Sequence, residues 1–220
     1  MESKVRKGLK KPAGSQTRKD AEFFDKFNNF DFVESRFHAF IARYKFQKSE
    51  KLMIRKALDF AKLAHNGQKR DEGTPYIMHP LRVANILMDE VAAMKSDIIC
   101  TALLHDVIED CGITMKELKN NFNESIAQMV KILTKDPSIE NHKRVYVEII
   151  MNSSDPVKLV KVCDRLDNLR SLRFSTNKTK MRRYISETEK KYVPMAEVTN
   201  NYIFRELKHE LSVIRNRMRR

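Results

Sequence analysis

The stretch SDIICTALLHDVIEDCG, residues 96–112, constrains this chain more than any other. Its apolar residues recur three and four apart and in places run together, the pattern of a helix buried on most sides. Set into it are four ionisable groups, His105 beside Asp106 and Glu109 beside Asp110. On one continuous helix His105 and Glu109 share a face, as do Asp106 and Asp110, and the two faces adjoin. Unpaired charge is costly to bury, so this wedge needs a cation or hydrogen-bonding partners. The rest of the chain must wrap a core around it and supply them.

The surrounding segments repeat the helical period. With five glycines and six prolines in 220 residues, there is little material for a many-turned β architecture, and the chain reads as all-α,. KLMIRKALDFAKLAHNGQ predicts a helix ending near Gly67, followed by the polar loop KRDEGTPY. HPLRVANILMDEV predicts a second, with His79 and Pro80 at its start, where proline is tolerated,. Residues 96–112 form a third, closed by Gly112,. TMKELKNNFNESIAQMVKILTK carries two more, the first opened by a capping box from Thr114 to Glu117,. Residues 140–153 form another. DPVKLVKVCDRLDNLRSL follows with Asp155 as cap before Pro156, and the remainder supplies one or two helices,. Ahead of all these, residues 21–47 hold eight of the twelve phenylalanines, an amphipathic stretch suited to covering the core or a partner subunit.

Composition excludes several classes. No apolar run is long enough to cross a bilayer, so no membrane partner is expected,. The basic N-terminus has no apolar segment after it, unlike a secretory signal. Cys100, Cys111 and Cys163 are too few and scattered for a disulfide framework and fit a reducing cytoplasm,. Lys and Arg total 43 against 29 Asp and Glu, a net charge of +14 that attracts polyanions,. The basic residues are spread along the chain without an aromatic strand pair, so no obligate nucleic-acid partner is expected.

A divalent ion would offset the buried acids, and a mixture of imidazole and carboxylate suits Mn, Fe, Zn or Ni better than Ca. His105 and Asp106 alone do not complete a shell. His79 ends the apolar YIMHP at a helix start, and Asp164 follows a nearly continuous apolar face in VKLVKVCDRLDNL. The expected ligands are therefore His79, His105, Asp106 and Asp164, with positions left for water. On residue chemistry alone, a hydrogen-bonded structural cluster stays open as the other reading.

AHNGQKRDEGTPYIMHPLRVA, ALLHDVIED and VKVCDRLDNLR resemble, in order and spacing, the hydrolase region of RelA/SpoT-type alarmone enzymes, members of the HD phosphohydrolase superfamily. The resemblance runs over about residues 50–205. It implies an HD-domain helical fold with additional terminal helices, and one Mn ion, with Zn or Fe as alternatives, at His79, His105, Asp106 and Asp164. It implies that Glu109 and Asp110 assist water attack, that Arg70 packs against a guanine base and that Asn168 holds the nucleotide. The implied reaction removes pyrophosphate from the 3′ position of guanosine tetra- or pentaphosphate. Bottom-up chemistry agrees: Lys69 and Arg70 offer positive charge to phosphates, and a planar guanidinium stacks on a base. Asn168, one turn after Asp164, brings a donor and an acceptor to the same side.

The resemblance has departures. Asp167 stands where the family usually has histidine, and an acid there, behind the residues that hold the ion, would alter proton balance or weaken phosphate binding. PMAEV replaces the usual PLAHR, placing Glu197 and Val198 at a commonly basic pair, and His142 takes an aromatic-like position. Asp167 leaves room for another nucleotide substrate such as NADPH, and the net charge for a nucleotide- or RNA-binding regulatory module on the same fold. The expected organisation is a basic mobile tail over 1–18, a Phe-rich helical extension over 19–48, the hydrolase domain over 49–205 and a basic helix end over 206–220. That leaves no room for a synthetase domain of about 100 or more residues. The expected partner is a guanine nucleotide with a 3′-diphosphate, in the cytoplasm, with homo-oligomer formation allowed.

Overall fold

The computed structural model describes residues 18–71 and 73–219. Among them the fold is all-α; the only β feature is a single bridge between Lys69 and Pro75. No described helix is long and apolar enough to cross a membrane. The basic tail expected over 1–18 lies outside the described residues except for Arg18, where the first helix begins.

The Phe-rich segment folds as two helices, α1 (Arg18–Phe27) and α2 (Phe30–Arg43). Asn29 divides them: its side-chain oxygen accepts from the Phe32 amide at 2.9 Å and caps α2,. Phe24, Phe27, Val33, Phe37 and Ile41 are buried, so this segment covers the core as its amphipathic pattern implies. Helix α3 (Lys48–Ala64) leads to a loop and then α4 (Met78–Asn85), which passes into a π-helical turn over Ile86–Glu90. The Asn85 amide donates to the Val33 carbonyl at 2.9 Å and ties α4 to α2.

The expected third helix is broken. It forms α5 (Ser96–Leu104) and α6 (Val107–Cys111), with His105 and Asp106 in the turn between them. Consecutive residues on an uninterrupted helix diverge by about 100°. The break is what lets His105 and Asp106 face one point, and it cancels the shared face expected for His105 and Glu109. Gly112 ends α6 at φ +70°, a left-handed conformation that favours glycine,.

Helices α7 (Met115–Asn121) and α8 (Glu124–Leu133) follow, with the Thr114–Glu117 capping box formed in both directions. Then come α9 (His142–Met151) and α10 (Asp155–Leu172), with Ser154 rather than Asp155 at the N-cap position, where its side chain makes no capping hydrogen bond. The C-terminal part holds three α-helices where one or two were expected: α11 (Lys178–Glu187), α12 (Val193–Thr199) and α13 (Asn201–Arg219). A second π-helical turn, Thr188–Tyr192, carries α11 into α12.

Two helices form the centre. Residues Ile98–Leu104 of α5 are all buried, and each large apolar side chain among them contributes about 1.5–3 kcal/mol of burial,. Helix α10 packs against α4, α5, α8, α12 and α13. Its core residues include Val157, Val160, Cys163, Leu166 and Leu169, while Lys161, Asp164, Arg165 and Asn168 recur three and four apart and face a cleft,. At its C-terminal end, Arg170 holds Glu90 through paired contacts of 2.7 and 2.8 Å and reaches Glu206 at 3.1 Å, and Arg173 pairs with the buried Glu210. The helix bearing Asp164 is therefore fixed at both its apolar and its charged surfaces.

Candidate metal centre

Three segments meet at the cleft floor. The α5–α6 turn brings His105 and Asp106, the first turn of α4 brings His79, and the middle of α10 brings Asp164. Ligand atoms of His79, His105 and Asp164 all lie within 4.8 Å of one another. His79 Nε2 is 3.2 Å from Asp164 Oδ1, and His105 Nε2 is 4.0 Å from the same oxygen. Asp106 flanks this trio, its Oδ2 3.1 Å from His105 Nε2 and 3.7 Å from His79 Nε2.

The far nitrogen of each imidazole is held from behind. His79 Nδ1 lies 2.6 Å from Asp167 Oδ2, and His105 Nδ1 lies 2.8 Å from the Ala102 carbonyl oxygen. Both acceptors call for a proton on Nδ1, which turns the Nε2 lone pair toward the cluster, as metal-binding imidazoles require. His105 Nε2 is buried and has no hydrogen-bond partner, Asp106 being close but out of hydrogen-bonding alignment. An orphaned ring nitrogen, a second imidazole and two carboxylates around one point fit a divalent cation.

Electrostatics agree with the geometry. Desolvation acts to raise both acids, yet His105 holds Asp106, and Lys161 with both histidines holds Asp164, well below the usual carboxylate range. Lys161 Nζ donates to Asp164 Oδ2 at 2.7 Å. Burial acts to lower the His105 imidazole, but the charges of Asp106 and Asp164 outweigh it and raise it to about 9. Without a cation, a proton on His105 balances the acids.

The remaining expected residues lie around this floor. Tyr76, from the loop before α4, places its hydroxyl 2.8 Å from Asp106 Oδ2 and 2.6 Å from Asp110 Oδ2; its one proton serves one of them at a time. Desolvation raises the Asp110 carboxyl, the Tyr76 hydrogen bond opposes this, and the charges of Asp106 and Glu109 add to the rise. Glu109 turns to Lys135, accepting from its backbone amide at 3.1 Å and its ammonium at 2.7 Å. The Asn168 amide donates to Asp164, and its oxygen accepts from Arg70 Nη2 at 2.8 Å. The Arg70 guanidinium sits 5.6 Å from the Tyr76 ring centre. Lys69 and Arg70 line the cleft, which encloses about 770 Å³. Ten lysine and arginine side chains line it against six carboxylates, a balance suited to a ligand with several negative charges,.

A family model described as HD domain matches residues 57–199. The chain belongs to the HD-domain family. Within that HD family, its relatives confirm the resemblance to RelA/SpoT-type hydrolases. It is 41% identical over 133 residues to the human guanosine-3′,5′-bis(diphosphate) 3′-pyrophosphohydrolase MESH1, covering 58% of this chain and 74% of that one. It is 38% identical over 151 residues to a guanosine-3′,5′-bis(diphosphate) 3′-pyrophosphohydrolase of Aquifex aeolicus strain VF5. That match covers 65% of this chain and spans about a fifth (21%) of the Aquifex protein. A solved structure of a metazoan ortholog of SpoT that hydrolyzes ppGpp superposes with a TM-score of 0.69 at 28% identity, over 79% of this chain and 98% of the other.

Sequence reasoning missed several residues that shape this HD site. Lys161 left a signal that was not used: it stands three residues before Asp164, one turn of helix, in a largely apolar run. Tyr76 had no signal beyond standing near His79. Asp167 was expected behind the ligands and stands there, though its partners were not foreseen. It is fully buried, does not line the cleft and binds His79 and Arg82.

Proposed function

We propose that this chain is a metal-dependent 3′-pyrophosphohydrolase of guanosine 3′,5′-bis(diphosphate) and the corresponding pentaphosphate, releasing pyrophosphate and GDP or GTP. The observation that carries the reading is the convergence of His79, His105 and Asp164 at the floor of a strongly cationic cleft. The similarity to proteins named for this reaction supplies the substrate.

His79, His105, Asp106 and Asp164 would hold the cation, and their donor set suits Mn, with Fe or Zn as alternatives. Such a cation supplies charge to a phosphoryl group and acidifies a water. Asp110, raised and linked to Asp106 through Tyr76, takes the proton from the attacking water,. Glu109, anchored by Lys135, orients that water and holds the ammonium toward the phosphates. Lys69 and Lys161 offset phosphate charge, Arg70 stacks on the base, and Asn168 joins Arg70 to Asp164. Asp167, the feature that left room for another nucleotide, does not reach the cleft and gives that reading no support.

The test is product analysis by ion-exchange chromatography on metal-stripped protein with Mn²⁺ restored. Guanosine tetraphosphate should yield GDP and intact pyrophosphate. Release of orthophosphate, or turnover of NADPH alone, would overturn the reading.

Two further outcomes are expected. Removing Arg70 takes away a charged hydrogen bond and a stacking surface but no reacting group. Arg70→Ala should raise KM by at least about tenfold, from a loss of about 1.5–3 kcal/mol, with kcat nearly unchanged. Steady-state kinetics check this, and an equal fall in kcat would refute a purely binding role. Separately, His105 must lose its proton to accept a cation, so apparent metal affinity should climb with pH and level off above about 9,. Calorimetry in buffers of different ionisation heat should count about one proton released per ion below that pH. Release of none would contradict the assignment.

A further inference from the structure

Asp167 has no exposed surface, and both of its oxygens are engaged. Oδ2 lies 2.6 Å from His79 Nδ1. Arg82 grips the same carboxylate, donating from Nε to Oδ1 at 2.7 Å and from Nη2 to Oδ2 at 3.1 Å. Arg82 is itself held by the last residue of α1: its guanidinium carbon lies 4.0 Å from the Phe27 ring centre, and its Nη1 donates to the Phe27 carbonyl at 3.3 Å. Phe27 is packed in turn against Phe23 and Phe174. An unbroken line of contacts therefore runs from the N-terminal helix to the back of a cluster histidine.

We propose that Asp167 is the positioning residue for His79 and that α1, through Phe27, sets that position by clamping Arg82. The inference rests on the reading of the cluster as a divalent-metal site. A carboxylate behind a ligating imidazole fixes its tautomer and orientation and raises its basicity. The two-pronged grip of Arg82 fixes the plane of that carboxylate, since a guanidinium presents parallel donors where an ammonium would act as a point. The Ser171 hydroxyl accepts from Arg82 Nη2 at 3.3 Å on one side, and the aromatic face and carbonyl of Phe27 restrict Arg82 on the other,. A core ion pair is a weak source of net stability, because apolar residues of similar volume often serve as well. Orientation of His79 accounts for what stability alone does not: the acid is spent on a histidine whose other nitrogen faces the cluster. It also gives the α1 extension a part in the site, although none of its residues lines the cleft.

The test measures Mn²⁺ affinity by chelator competition, and the visible absorption of the Co²⁺-loaded protein, in the full chain and two variants. Asp167→Asn keeps the shape and removes the charge. Phe27→Leu keeps an apolar side chain, leaves Asp167 and Arg82 in place, and carries the test should Asp167→Asn not fold. Mn²⁺ binding should weaken about 10–100-fold in Asp167→Asn and about 3–10-fold in Phe27→Leu, with altered Co²⁺ bands in both. A purely structural role would shift thermal unfolding and leave the bands of the folded protein alone. Unaltered affinity and spectrum in folded variants would overturn the positioning role while leaving the metal site standing. Absence of Mn²⁺ and Co²⁺ binding by the unaltered chain would overturn the metal reading and this inference with it.

Discussion

Asp106→Ala is expected to abolish metal-dependent turnover, by at least about 10³-fold, while leaving the helical content intact. Loss of an outer-shell partner alone typically costs about 10–100-fold in metal affinity or activity, and a direct ligand costs more. Asp106 is suited to this test because it flanks both imidazoles yet is only half-buried, in a turn rather than inside a helix. Truncating it leaves His105 held by Ala102 and His79 held by Asp167. Circular dichroism should therefore match the unaltered protein while bound Mn²⁺ falls sharply. Full turnover with normal metal content would remove Asp106 from the ligand set.

The second large effect is expected at Asp110. Asp110→Asn keeps the size and the Tyr76 contact but cannot take a proton. General-base contributions run to about 10²–10⁴-fold, and kcat should drop within that range with metal content unchanged. Glu109→Gln should cost less, since its carboxylate is already occupied by Lys135 and the amide keeps one acceptor for that ammonium. Comparing the two separates the residue that moves the proton from the one that holds the water. Should Glu109→Gln prove the more damaging, the roles are exchanged.

Much of this was legible in the sequence, for identifiable reasons. The helical period located most elements, because apolar residues three and four apart report a buried face wherever the chain is regular. The same reasoning chose His79, His105, Asp106 and Asp164 as polar groups on otherwise apolar faces, and His79, His105 and Asp164 gather with Asp106 beside them. It failed where chemistry depends on partners far along the chain. Asp167 meets His79 and Arg82 across more than eighty residues, and nothing local names those partners. Nor does periodicity reveal an interruption: residues 96–112 keep a helical pattern through the turn at His105 and Asp106, where α5 gives way to α6. The C-terminal segment was undercounted because π-helical residues 188–192 carry α11 into α12 without a glycine, and Pro194, in the first turn of α12, is tolerated there without interrupting the chain's helical path,.

The lysine beside Asp164 and the arginine beside Asp167 bear on how such a protein is loaded. Each of these two buried acids has a cation from its own chain within hydrogen-bonding distance, and His105 accepts a proton beside Asp106. In small zinc-dependent domains the ion is the missing piece of the core, and chelation unravels the chain. Here the charges are balanced before any ion arrives, and a large apolar core carries the architecture. Folding and loading become separate events. The stripped chain is a finished receptor, open to exchange with its surroundings, and its metal content records what was supplied to it rather than how it was born.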